Sequence, residues 1–282
     1  MNILIDTLVD THCHIDFAVF DEDRDQILCR ATALGVKTIV VPAVSASSWQ
    51  QTIEICAPRL ADEGALNTNT QGLLKPAVQG SANLLLALGL HPMFIDQHQP
   101  QHLTELDVLI GQHSPIAVGE IGLDFFQREL DREKQLAYFT KQLIIAKRHA
   151  LPVIIHNRKA HDQCIKLLSQ HQVKGGIIHA FNGSIQQAEK YIELGFLLGF
   201  GGMLTYQRSR KLRQLAKTLP IDSLVLETDA PDMTVSQHAG QRNSPEYLPL
   251  ILKELAEIKQ MKTSDVAQAC TQNFRKVFFG QN

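Results

Sequence analysis

The chain has 282 residues, of which 44% are hydrophobic and 20% charged, so it carries enough apolar surface for a large core and is excluded from the disordered class. Its net charge of −2 excludes a protein that wraps long duplex DNA by charge alone; any nucleic-acid contact must be local. The five cysteines form no CxxC pair, and neither a signal-peptide pattern nor an apolar run of about 18 residues occurs, which leads us to expect a cytoplasmic protein without disulfides and without a membrane span.

Eight short apolar runs follow one another at 7–11, 36–41, 84–88, 116–119, 152–155, 176–178, 195–199 and 223–226. Several, such as KTIVVPA and LPVIIH, are β-branched and nearly continuous, the pattern of strands buried on both faces of a parallel sheet. Most are separated by stretches with helical periodicity. Leu136, Phe139, Leu143 and Ala146 make one apolar stripe, with Lys141 and Lys147 off it. Eightfold strand–helix alternation predicts an α/β fold, a (β/α)8 TIM barrel forming a single domain over 1–282, with an open doubly wound sheet as the alternative. The segment 61–83 is polar, rich in Gly and Asn and without period. It reads as a surface loop insertion on the N-terminal face, away from the end where barrel active sites gather.

Chemistry-bearing residues recur where the apolar runs end. His12 and His14 stand at i and i+2 after the first run, on one side of an extended chain, with Cys13 facing away. Glu120 ends AVGE, His156 ends PVIIH, His179 ends GIIH and Asp229 follows LVLET. A buried imidazole or carboxylate is costly unless paired or metal-bound. Five strand ends converging on one barrel mouth therefore point to a metal centre. Four imidazoles and two carboxylates suit divalent ions such as zinc or manganese.

DTHCHIDF at 10–17, GLHP at 89–92, AVGEIGLDFF at 117–126, LPVIIHNR at 151–158, HAFNGS at 179–184, LGFGGMLTY at 198–206 and LVLETDAPD at 224–232 resemble, in order, the motifs of the TatD family of metal-dependent deoxyribonucleases, within the amidohydrolase superfamily, and most of all its YjjV branch. The resemblance implies a (β/α)8 barrel and hydrolysis of DNA phosphodiester bonds, at ends or on single strands, by a water that two divalent ions (Mg, Mn or Zn) activate. It implies His12, His14 and Asp229 on one ion, His156 and His179 on the other, and Glu120 between them. Asp229 and Glu120 are the expected catalytic carboxylates, with Asp229 taking the water's proton. Two departures stand out: Asn182 in HAFNG, where small hydroxyl residues are common, and the long 61–83 segment.

Further residues are expected near the substrate. His91 ends ALGLH, where it either reaches the substrate or is structural. Asp124 follows Glu120 by four residues, as an imidazole partner or a cap. Glu227 shares Asp229's side of its strand, one level deeper. Six basic residues, Arg158, Lys159, Arg208, Arg210, Lys211 and Arg242, follow strand ends on the active face, with Arg208 and Arg242 singled out as phosphate contacts. DNA or another phosphodiester is the expected partner, with no obligate protein partner. An enzyme cleaving an acyl ester or C–N bond is the alternative, and a non-catalytic metal-bound binding protein a further one.

Overall fold

A computed structural model describes residues 7–57 and 81–280. Eight parallel strands pair in sequence order into one sheet: β1 Leu8–Asp10, β2 Val36–Pro42, β3 Asn83–Leu88, β4 Ala117–Asp124, β5 Val153–Arg158, β6 Gly176–Ile178, β7 Phe196–Phe200 and β8 Leu224–Leu226. The sheet curls until its two edges meet. Thr11 N–H donates to Leu226 O at 3.0 Å, Asp229 N–H donates to His12 O at 2.8 Å, and the Asp10 carboxylate accepts from Thr228 N–H at 2.9 Å and from Thr228 Oγ1 at 2.5 Å. The barrel, rather than the open sheet, is the fold.

Helices α1 Arg24–Ala33, α2 Trp49–Cys56, α3 Pro100–His113, α4 Arg132–Arg148, α5 His161–His171, α6 Ile185–Glu193, α7 Arg210–Thr218, α8 Leu248–Lys259 and α9 Thr263–Phe279 cover the strands. The predicted stripe on α4 is its inner face: Phe139, Leu143 and Ala146 are buried in the main core, and Leu136 packs against it. A second apolar cluster fills the barrel interior. It takes one residue from every strand, Val9, Val40, Ala87, Ala117, Ile154, Ile177, Leu197 and Val225, and adds Phe274 and Phe278 of α9. Thr271 and Asn273 of α9 bond to Thr7 O and to Ile221 O and Leu224 O, at the starts of β1 and β8, so α9 closes the N-terminal end.

Side chains two residues apart on a strand share a side. Two positions after Ala87, Ile154, Ile177, Leu197 and Val225 stand Gly89, His156, His179, Gly199 and Glu227, so the inward-facing surface turns polar towards the C-terminal end. A Cβ on Gly199 would lie 2.1 Å from Glu227 Oε2, so only glycine leaves room for that carboxylate.

Two expectations need correction. β4 and β5 run on to Asp124 and Arg158, so Glu120 and His156 lie inside strands rather than closing them. Of the 61–83 segment, 61–80 lies outside the described residues, and Asn83 is the first residue of β3, not loop. None of the five cysteines is in a disulfide. Among the described residues no helix is long and apolar enough to cross a membrane.

Candidate metal centre

Four side chains converge at the C-terminal mouth. His12 Nε2 and His14 Nε2 are 3.2 Å apart and lie 3.2 and 3.5 Å from Glu120 Oε2; each is 3.8 Å from Asp229 Oδ1. The geometry follows from β1 ending at Asp10. Beyond it the chain stays extended, with Cys13 N–H held by Val40 O, so the two imidazoles project together and Cys13 is buried on the other side. Asp229 reaches the cluster from β8 through a left-handed turn with φ of 57°, a conformation that aspartate tolerates better than most residues. Two imidazole nitrogens pointing at each other and at two carboxylates share too few protons between them. A cation accepting all four lone pairs resolves this, and the donor set suits a transition-type divalent ion.

Glu120 also looks the other way. Its Oε1 is 3.2 Å from His156 Nδ1 and 3.2 Å from His91 Nε2, a second group of potential ligands that shares one carboxylate with the first. His179, the expected partner of His156, lies near enough to act on its charge without belonging to this group. The His179 ring instead stacks on His12, with centroids 3.7 Å apart, and its Nε2 is 3.5 Å from Asp229 Oδ2. His91 Nδ1 accepts from Met93 N–H at 3.1 Å. The proton therefore sits on Nε2, and His91 faces Glu120 as a donor.

The His156 and His179 imidazoles each face a carboxylate outside the cluster. Asp124 Oδ2 is 3.1 Å from His156 Nε2, while its Oδ1 accepts from Phe126 N–H at 2.9 Å. Asp124 thus both orients an imidazole and ties the following turn, and the cap of α4 is Asp131, with no oxygen of Asp124 left free for substrate. Glu227 Oε1 lies 3.1 Å from His179 Nδ1 and accepts from Ala180 N–H at 2.6 Å, in the deeper position expected of it. Sequence reasoning missed two glutamines. Gln135 accepts from Asp124 N–H at 2.8 Å and donates to Asp124 O at 3.0 Å; Gln142 makes the same clamp on Leu90 at 2.8 and 3.1 Å. Both are buried on α4, seven residues apart and hence two turns along one face. An amide on an otherwise apolar helical face was the available signal.

The site's electrostatics are those of a cation-binding pocket. Burial alone would raise the Glu120 carboxyl, but His91 and His12 hold it well below the usual carboxylate range. Burial would lower His14, yet Glu120 and Asp229 lift it to about 9. His179 is raised well above its usual value by Glu227 and Asp229 against the same desolvation. The carboxylates hold protons on these imidazoles where a bound cation would displace them. His91 is the contrast: burial, helped by His156, drops it to about 4 against the pull of Glu120, so it stays neutral.

The basic candidates separate. Arg242 donates to Val19 O and Asp23 Oδ2 and lies over Phe20, which engages it in bracing the loop after β1. Arg158 stacks 3.7 Å from the centroid of the Phe126 ring. Arg208, Arg210 and Lys211 remain exposed beside a cavity on the active face.

A barrel whose mouth gathers His and carboxylate ligands around a shared glutamate defines a metal-dependent hydrolase. A family profile described as "TatD related DNase" matches residues 9–279, and the chain belongs to the TatD family. It is 37% identical over 278 residues to the uncharacterized metal-dependent hydrolase YjjV of Escherichia coli K12, covering 98% of this chain and 99% of that one. The crystal structure of that TatD homologue, YjjV, superposes with a TM-score of 0.86 at 36% identity, over 98% of this chain and 99% of that chain. A protein named 3'-5' ssDNA/RNA exonuclease TatD, from Cronobacter sakazakii, is 31% identical over 257 residues, 89% of each chain.

Proposed function

We propose that this cytoplasmic, single-barrel enzyme hydrolyses phosphodiester bonds of DNA, at strand ends or on single strands. The observation that carries the reading is the convergence of His12, His14, Glu120 and Asp229 within 3.8 Å, with the other oxygen of Glu120 shared by His156. The relative named as a single-strand exonuclease supports the substrate class.

His12, His14 and Asp229 would hold one divalent ion, His156 and His179 a second, with Glu120 reaching both; of magnesium, manganese and zinc, four imidazoles favour the two transition-type ions. Such ions, when bound, supply activation of a water and neutralisation of phosphate charge. The rest falls to the chain. Asp229 is the most exposed of these acidic groups, 15% against 2% for Glu120, so it is the carboxylate that meets substrate and solvent. Burial pushes its carboxyl up, but His179, His12 and His14 pull it below the usual range, which keeps it ionised and able to accept the proton of the attacking water. Asp124 and Glu227 hold the His156 and His179 rings in orientation. His91, whose Nε2–H faces Glu120 Oε1, steadies that carboxylate at the mouth. Arg208 supplies charge at the rim.

The test is purified protein stripped with chelator, reloaded with Mg, Mn or Zn in turn, and incubated with end-labelled single- and double-stranded DNA. Metal-dependent shortening of the single strand is expected. Cleavage of acyl esters or cyclic amides with none of DNA would replace this reading with the acyl-hydrolase alternative. Glu120→Gln should weaken both metal sites together, measured as ions retained per chain; full retention with full activity would remove Glu120 from the bridge.

A further inference from the structure

The active face carries a cavity of about 270 Å³ between the loop after β6 and the start of α7. Asn182 forms one wall and Arg208, Arg210 and Lys211 the other, over a floor that includes Leu212 and Leu215. No carboxylate lines it. Arg24, Arg30, Arg148, Arg213 and Arg242 each hold a carboxylate, whereas Arg208, Arg210 and Lys211 make no ion pair among the described residues. Arg208 rests with its guanidinium 5.0 Å from the Tyr206 ring centroid, and Lys211 Nζ donates to Asn182 O at 2.8 Å, spanning the two walls. Three like charges crowded into four residues repel one another, and an arriving anion relieves that repulsion.

A larger cavity of about 430 Å³ opens on the same face around Lys159 and His161, but Asp162 lies in its wall and accepts from Gln187 Nε2 at 2.8 Å. That carboxylate repels a phosphate. The smaller cavity is the anion-compatible one, and it is close to the chemistry. Asn182 stands three residues beyond His179, so the chain between them spans at most roughly 10 Å. Asn182 is also held to His161 Nε2 at 3.3 Å through its Oδ1, which fixes the wall.

We propose that this cavity holds the phosphate backbone of a single-stranded polynucleotide, about one or two nucleotides along the strand from the reacting phosphodiester, with Arg208, Arg210 and Lys211 on the phosphate and the leucine floor under the sugar or base. The inference rests on the phosphodiesterase reading for its distance from the reacting bond. It names where the strand leaves the metal centre: over the β6 and β7 loops, not over Arg242. It also gives Asn182 a part, as the residue that fixes the wall opposite the cations.

The test is fluorescence anisotropy with an end-labelled thymidine dodecamer, in chelator so that no turnover occurs. The Arg208→Gln/Arg210→Gln/Lys211→Gln variant should bind the dodecamer about tenfold or more weakly. Its plot of log affinity against log salt should lose about two from the slope, since each neutralised single-strand phosphate contributes roughly 0.7. A charge-matched control, Lys141→Gln/Lys147→Gln/Lys166→Gln, removes three exposed cations from α4 and α5 and should keep the wild-type affinity. Thermal melting checks that both variants are folded. A uridine dodecamer should lose as much as the thymidine one, because the backbone is what the cavity reads. Equal affinity and slope in wild type and variant, or an equal loss in the control, overturns the proposal. A cation-dependent loss in a protein that cleaves no phosphodiester with any metal would leave the cavity's backbone binding intact and sink the hydrolytic reading instead.

Discussion

At the N-terminal end of the barrel interior, one apolar side chain from each strand meets Phe274 and Phe278 of α9. Two residues further along β5, β6, β7 and β8, the inward positions are His156, His179, Gly199 and Glu227. The first end obeys packing, with Val40, Ala87, Ala117, Ile154, Ile177 and Val225 completely buried. The second end does the opposite: Asp10, His12, Glu120 and Glu227 are buried at 2% exposure or less although each is polar or charged. Burying such groups opposes folding unless partners compensate. The apolar end stabilises a scaffold on which the polar end can be held in a costly arrangement, and Gly199 is the place where one end gives way to the other, by making space instead of contact.

That division can be broken from either side. The largest expected effect is at the mouth. Asp229→Asn keeps the shape and an oxygen but cannot accept a proton, so DNA cleavage at saturating metal should fall by about 10²–10⁴ while the melting temperature barely moves. Single-turnover kinetics measure it; near-normal turnover would move the base elsewhere, with Glu227 and His91 next to test. The mirror experiment is Ile177→Ala at the apolar end, which should cost about 2–5 kcal/mol in urea unfolding and leave turnover per folded molecule intact. A large loss of turnover there would mean that the two ends are not separable.

Smaller effects sharpen where the boundary runs. Glu227→Gln removes the charge facing His179 Nδ1, and metal affinity should weaken by about 10–100-fold, read by competition with a chelating dye. No change would reduce Glu227 to a structural acceptor for Ala180 N–H. Asp10→Ala strips the acceptor from Thr228 N–H and Thr228 Oγ1 across the β1–β8 seam and from the nearby His12 N–H, and should cost about 1–3 kcal/mol in metal-free unfolding. A neutral result would show that the seam closes through Thr11 and Asp229 alone.

The amino-acid sequence by itself determined the order of the eight strands, because parallel strands buried on both faces leave continuous apolar runs between amphipathic helices. It also singled out His12, His14, Glu120, His156, His179 and Asp229, because an imidazole or carboxylate inside or just past such a run is an exception to apolar patterning. Alternation along a strand says which side a residue faces, but not how deep it sits or what it meets across the barrel. That is why only the tertiary structure decided that the His179 ring stacks on His12 and that His91 stands beside Glu120. The same holds for the clamps of Gln135 on Asp124 and Gln142 on Leu90 and for the ion pair of Arg242 with Asp23, which span from 11 to 219 residues of chain. Their partners are brought together by the packing of helices and loops around the barrel, and no local pattern encodes a distance that packing creates.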